Sequence, residues 1–214
     1  MITDGMSESE VLHEITQDLI NIFRISDAKE EKVRRIIRKS VLFPVRLHSF
    51  ATTVRKNKWI ILWEASDKKS IGDEAVITFV CWQERNHGRY AFMPAWLDEK
   101  MWLFIYPPHF FSRFAERMNV DFSGSDLIKR YFEMNHSYSF DFESKVLDQH
   151  SYEQHVYGTS TEGVSLGLRS IVPNVVLFKT FIPYPMLKGQ QIEIFSRNEA
   201  IRQEIHGVSP SLKW

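Results

Sequence analysis

Cysteine is all but missing: Cys81 is the single thiol in 214 residues. That excludes an intramolecular disulfide framework and any cysteine zinc site. Cys81 sits among Phe79, Val80 and Trp82, the setting of a buried structural thiol rather than a nucleophile. Long apolar runs are missing too. No stretch approaches the eighteen residues of a membrane span, and MITDGMSESEV lacks the basic flank and apolar segment of a signal peptide. The expected location is a reducing cytoplasm, with no membrane partner. Excess charge of either sign is also absent, because Lys plus Arg and Asp plus Glu number 27 each. This argues against non-specific coating of nucleic acid, though a small basic cleft for one phosphate remains compatible. The chain has no internal repeat, low-complexity block or Pro/Gly-rich linker. No H-E-x-x-H pair occurs, since His150 and His155 are five apart, and no cofactor or metal is expected.

Aromatics, by contrast, are abundant, at 14% with 16 Phe and 6 Trp. Such a chain can bury a substantial core. The sequence predicts one α+β domain over residues 1–214. A helical segment spans 1–40, a sheet-containing core 41–207 and a tail 208–214.

Ser7 and Glu10 have capping-box spacing ahead of the stripe Val11, Leu12, Ile15, Leu19, Ile22 and Phe23, which predicts a helix over 7–24. A second, polar helix is expected over 27–39, capped by Asp27. Its face of Lys32, Arg34, Arg35, Arg38 and Lys39 is a basic patch that reads as a solvated face balanced by Glu30 and Glu31. The period then changes. Strand pairs are expected around a turn at Lys56–Asn57, around Arg85–Gly88 and around Pro173–Asn174, with MWLFIY as a further strand. Short connections favour antiparallel neighbours, giving a sheet of five or more strands against N-terminal helices. A short helix is expected from Ser123 or Ser125, irregular structure with one helix near 143–153 across 135–157, and a C-terminal helix over 185–205. The hydroxyl-rich Thr159–Gly163 reads as a turn, and Gly163 and Gly167 as positions of a bulge or close approach. Most of the tryptophans read as core.

One constellation carries chemistry. In YPPHFFSRFAERM, Pro108 suits a first helical position. At about 100° per residue, His109, Arg113 and Glu116 fall within roughly 60° of one another, and Arg117 lies beside them. Phe111, Phe114 and Met118 take the other face. Metal-free RNA cleavage needs a base for the 2′-hydroxyl, an acid for the leaving oxygen and cations for the phosphate. His and Glu serve the first two roles, and the planar fork of Arg serves the third. The same residues also make an ordinary solvated helix face, because Arg/Glu mixtures at these spacings are commonplace.

The pattern H-x-x-x-R-x-x-E-R, carried by His109, Arg113, Glu116 and Arg117, resembles a helix of the RelE-like toxins within the barnase/RelE group of metal-independent ribonucleases. The hairpin GVSLGLRSIVPNVVLFKTFI is similar to the closing strands of that group. The resemblance implies an α+β fold and a toxin-like, RNA-binding or RNA-cleaving protein of bacterial type. It implies His109, Glu116 and Thr180 as catalytic residues, with Arg113, Arg117, Arg169 and Lys179 lining the phosphate. RNA, or a protein partner such as an antitoxin, would be the ligand. The chain departs from the group in its length, its neutral charge and the aromatic-rich sheet ahead of the helix. The other reading is a non-enzymatic protein-interaction module.

Overall fold

The computed structural model describes residues 1–69, 75–97, 99–135, 138–146 and 152–206. The fold is α+β and divides into two compact units, Met1–Ile105 and Tyr106–Trp214.

The first unit opens with helix α1 (Glu8–Lys39). Ser7 and Glu10 close the expected capping box, each side chain bonded to the other's backbone N–H. One unbroken helix replaces the two that were expected over 7–24 and 27–39. Nothing between Phe23 and Lys29 breaks it, for there is neither Gly nor Pro, and Asp27 is an exposed mid-helix residue rather than a cap. Ser26 is buried, and Val33 and Ile37 extend the buried stripe to the last turn, so packing carries the helix through its polar middle.

Strands β1 (Val45–Thr52), β2 (Lys58–Ala65), β3 (Val76–Arg85), β4 (Gly88–Leu97) and β5 (Lys100–Tyr106) follow in spatial order. The first three pairings are antiparallel. Turns fall where the sequence placed them: Lys56 takes a positive φ between β1 and β2, and Gly88 takes one opening β4. Strand β2 is buried from Trp59 to Trp63, whereas β1 alternates between partly buried and exposed residues. Trp59 and Trp63 are core, and Trp96 is 52% exposed against Phe23.

The second unit contains helices α2 (Pro108–Met118) and α3 (Gly124–Met134), strands β6 (Ser139–Val146), β7 (Tyr152–Thr159), β8 (Gly163–Arg169) and β9 (Val175–Pro183), and helix α4 (Gln190–His206). The strands lie in the order β9-β8-β7-β6, all antiparallel. The helix expected near 143–153 is not formed at its described residues, which belong to the paired strands β6 and β7. SFDFESKV does alternate, and pairing with β7 satisfies a backbone that its charged composition had disguised. The tail expected over 208–214 lies outside the described residues.

Strand β9 carries a bulge. Leu166 of β8 faces Thr180 and Gly167 faces Phe178, so Lys179 is the extra, exposed residue. The two buried phenylalanines are therefore three apart yet meet one aromatic cluster. Phe178 lies 5.0 Å from the Tyr106 ring, and Phe181 5.7 Å from Tyr131. Both β8 glycines sit under this crossing. A Cβ on Gly167 would come within 2.6 Å of the Leu177 carbonyl oxygen, and one on Gly163 would overlap the Ile182 carbonyl. Among the described residues no helix is long and apolar enough to cross a membrane.

Candidate functional site

Helix α2 starts at Pro108, as the sequence predicted, and ends where Asn119 turns left-handed with φ 50°. Its inner face is Phe110, Phe111 and Phe114, all buried. Phe110 meets Tyr106 at 5.0 Å, and Phe114 meets Tyr131 and Phe181 at 5.0 and 5.3 Å. These edge-on contacts fix the helix against β9 and thereby aim its polar face.

The predicted site residues divide into four groups. His109 stands exposed in the first turn. Arg113 and Glu116 pair with each other at 3.1 Å, with side chains 57% and 68% exposed. Arg117, only partly exposed, donates from Nη1 to Thr180 Oγ1 at 3.1 Å and to the Phe181 carbonyl oxygen. Arg169 donates to Gln154 Oε1 on β7 at 2.8 Å, and Lys179 is exposed on its bulge. The structure thus brings Arg117 and Thr180 together from different elements and pairs Arg113 with Glu116.

This arrangement has a chemical consequence. A phosphate-binding arginine needs its guanidinium edge free for two oxygens. Arg117 ties α2 to β9 through Nη1 alone, which donates to a backbone carbonyl and a hydroxyl, and these two bonds leave its Nε–Nη2 edge unused. Arg113 has a carboxylate beside it and water around it, where charges are screened and weakly coupled.

The strongest polar constellations lie elsewhere. In the first unit, Glu14 and Asp18 are buried one turn apart on α1. Asp18 Oδ2 accepts from Thr53 Oγ1 at 2.7 Å, and from Asn57 Nδ2 and Trp59 Nε1 at 2.9 Å each. Glu14 accepts from Arg55, from Asn57 and from the terminal ammonium of Met1. Hydrogen bonding from Arg55 leads the causes that hold the Glu14 carboxyl down at about 2, against the opposing effect of burial. Sequence reasoning missed this centre. The available signal was that both acids fall within the apolar stripe of α1, at 14 and 18 among 11, 15, 19 and 22.

In the second unit, Asn135 is fully buried and organises the Thr159–Gly163 turn. Its Oδ1 accepts from Ser160 Oγ and the Glu162 N–H, and its Nδ2 donates to Glu162 Oε2 at 2.7 Å. Arg130 completes the carboxylate's partners at 2.8 Å, and Tyr184 donates to the Ser160 carbonyl. The turn expected from the hydroxyl-rich segment is present, closed by the Ser160 N–H on the Gly163 carbonyl. Beneath it, the buried hydroxyls of Tyr131 and Ser165 lie 2.7 Å apart, and Tyr138 donates to Tyr131. Burial pushes the phenols of Tyr106, Tyr131 and Tyr138 upward, so all three stay neutral near pH 7.

Cys81 is fully buried, and its thiol is pushed well up by burial. Among the described residues no group of three His, Cys, Asp or Glu side chains is placed to hold a metal ion. His150 lies outside the described residues. Comparison of the chain with family models, with curated proteins and with solved structures gives no match.

Proposed function

We propose that this chain is a non-enzymatic interaction module working in a reducing cytoplasm, and that the polar face of α2 is part of its framework rather than an active site. The observation that carries this reading is the commitment of Arg117. The arginine that reaches Thr180 is engaged by Thr180 and a main-chain carbonyl, while Arg113 and Glu116 neutralise each other in open water. The Glu14–Asp18 and Asn135–Glu162 centres are likewise hydrogen-bonded by the chain's own donors, as structural polar groups are. A single buried thiol suits a compartment without disulfide chemistry.

The second reading, a metal-independent ribonuclease or toxin-like RNA-binding protein, is favoured by the contact between Arg117 and Thr180, two residues that its pattern names. One experiment separates the two. Purified protein is incubated with RNA in excess EDTA beside His109→Ala and Arg113→Ala, and each protein's thermal melt is recorded. The module reading expects no cleavage above background in any of the three. EDTA-resistant cleavage that both substitutions abolish, with melts unchanged, would replace the module reading with the ribonuclease.

A further inference from the structure

A neutral chain can hide a strongly segregated charge distribution, and this one does. From Lys32 to Trp63 it carries nine lysines and arginines and no aspartate or glutamate. Three of the nine are compensated by acids from outside that stretch: Arg34 by Glu30, Arg46 by Glu64 and Arg55 by Glu14. Lys32, Arg35, Arg38 and Lys39 are exposed, and among the described residues none of the four has an ion-pair partner. At about 100° per residue they fall within roughly 120° of the α1 wheel, an arc that also holds one exposed acid, Glu31. Val33 and Ile37, both buried, occupy the opposite side. Directly after the helix come Val41 and Leu42, at 86% and 85% exposure, and Ile36 is exposed on the flank of the basic arc.

Favourable interaction with the helix dipole accounts for Arg38 and Lys39, which lie in the last turn. It does not account for Lys32 and Arg35, more than a turn earlier, nor for two adjacent aliphatic side chains left in water. A nucleic-acid backbone would use the cations but gains nothing from Val41 and Leu42. A bilayer with anionic headgroups uses both: cations sit at the phosphates and short aliphatic side chains enter the headgroup–acyl boundary. We propose that the end of α1, comprising Lys32, Arg35, Arg38, Lys39, Val41 and Leu42, is a docking surface for an anionic phospholipid bilayer. The contact is peripheral and crosses nothing. It rests on α1 alone, so it stands or falls independently of the reading of α2.

The test is co-sedimentation of the full chain with phosphatidylserine–phosphatidylcholine vesicles and with phosphatidylcholine vesicles. Two variants accompany the wild type, Arg35→Gln with Lys39→Gln and Val41→Ser with Leu42→Ser. All four substituted side chains are exposed, and circular dichroism melts verify that the variants fold. Wild type is expected to sediment with the serine-containing vesicles only, and to be released by salt. Each neutralised cation weakens binding about fivefold, so the first variant loses about twenty-five-fold. The second variant weakens binding while keeping its salt dependence. Failure of wild type to distinguish the vesicles, or undiminished binding by the first variant, would overturn the proposal. Unchanged vesicle binding by the second variant, with displacement by a single-stranded RNA oligonucleotide, would overturn it in favour of a general polyanion site.

Discussion

Arg117 and Arg113 differ by one helical turn and by everything that matters to their energetics. Arg117 bonds a partly buried main-chain carbonyl and Thr180, so Arg117→Ala leaves acceptors without a donor. That should cost about 1–3 kcal/mol, read as a fall in Tm and in the midpoint of urea denaturation. Arg113→Ala removes an exposed pair and should leave both at the wild-type value. Glu14 gives the pH counterpart. Its carboxyl lies at about 2 in the folded chain against an ordinary 4.5. A depressed carboxylate contributes stability that is complete above pH 4.5 and is lost as the pH falls toward 2. The contribution is about 3 kcal/mol at most. In Glu14→Gln this part of the acid limb should vanish, so the wild-type and variant stability curves converge below pH 4.5 and separate above it. Urea denaturation at a series of pH values measures the difference.

Among the elements, hairpins and helix starts were legible because single residues impose them. Pro108 opens α2, Ser123 precedes α3, and Lys56 and Gly88 take the positive φ of their turns. Elements decided by partners were not. The split expected in α1 rested on Asp27 as a cap, but burial of Ser26, Val33 and Ile37 outweighs a local capping preference. Strand β6 was lost among Asp141, Glu143 and Lys145 because a strand's hydrogen bonds belong to its neighbour. The candidate site shows the same division. The two faces of α2 follow from a 3.6-residue period, yet the use of Arg117 depends on a carbonyl that no side-chain pattern announces. The glycines of β8 were legible as close-approach positions, and the structure says to what. Gly167→Ala would drive a methyl against the Leu177 carbonyl and the Phe178 ring, at 2.6 and 2.8 Å. Backbone cannot yield as a long side chain can, so a loss of about 1–3 kcal/mol is expected in urea denaturation. Gly5→Ala, with nothing near its added methyl, serves as the control.

At the scale of the molecule, the balance of 27 cations and 27 anions is a sum of unlike regions. Because the positive charge concentrates between Lys32 and Trp63, molecules near neutral pH can attract one another through opposite patches while carrying no net repulsion. Solubility in polyethylene glycol should therefore be lowest near pH 7. It should rise on either side of that pH, and rise with added salt, which screens patch-to-patch attraction. A minimum that salt deepens would mean that apolar contacts dominate instead.

The bulge at Lys179 gives strand β9 a phase. Phe178 and Phe181 reach one aromatic cluster only because a residue is counted out between them. The strand consequently carries one residue more than its register with β8 uses. Replacing Lys179 with another polar residue changes one exposed side chain. Deleting it would leave Phe178, Thr180 and Phe181 facing Gly167, Leu166 and Ser165 in an unbroken ladder, with the two phenylalanines two apart and still on one face. Among descendants of this chain, substitutions and single-residue gaps at 179 should both be tolerated.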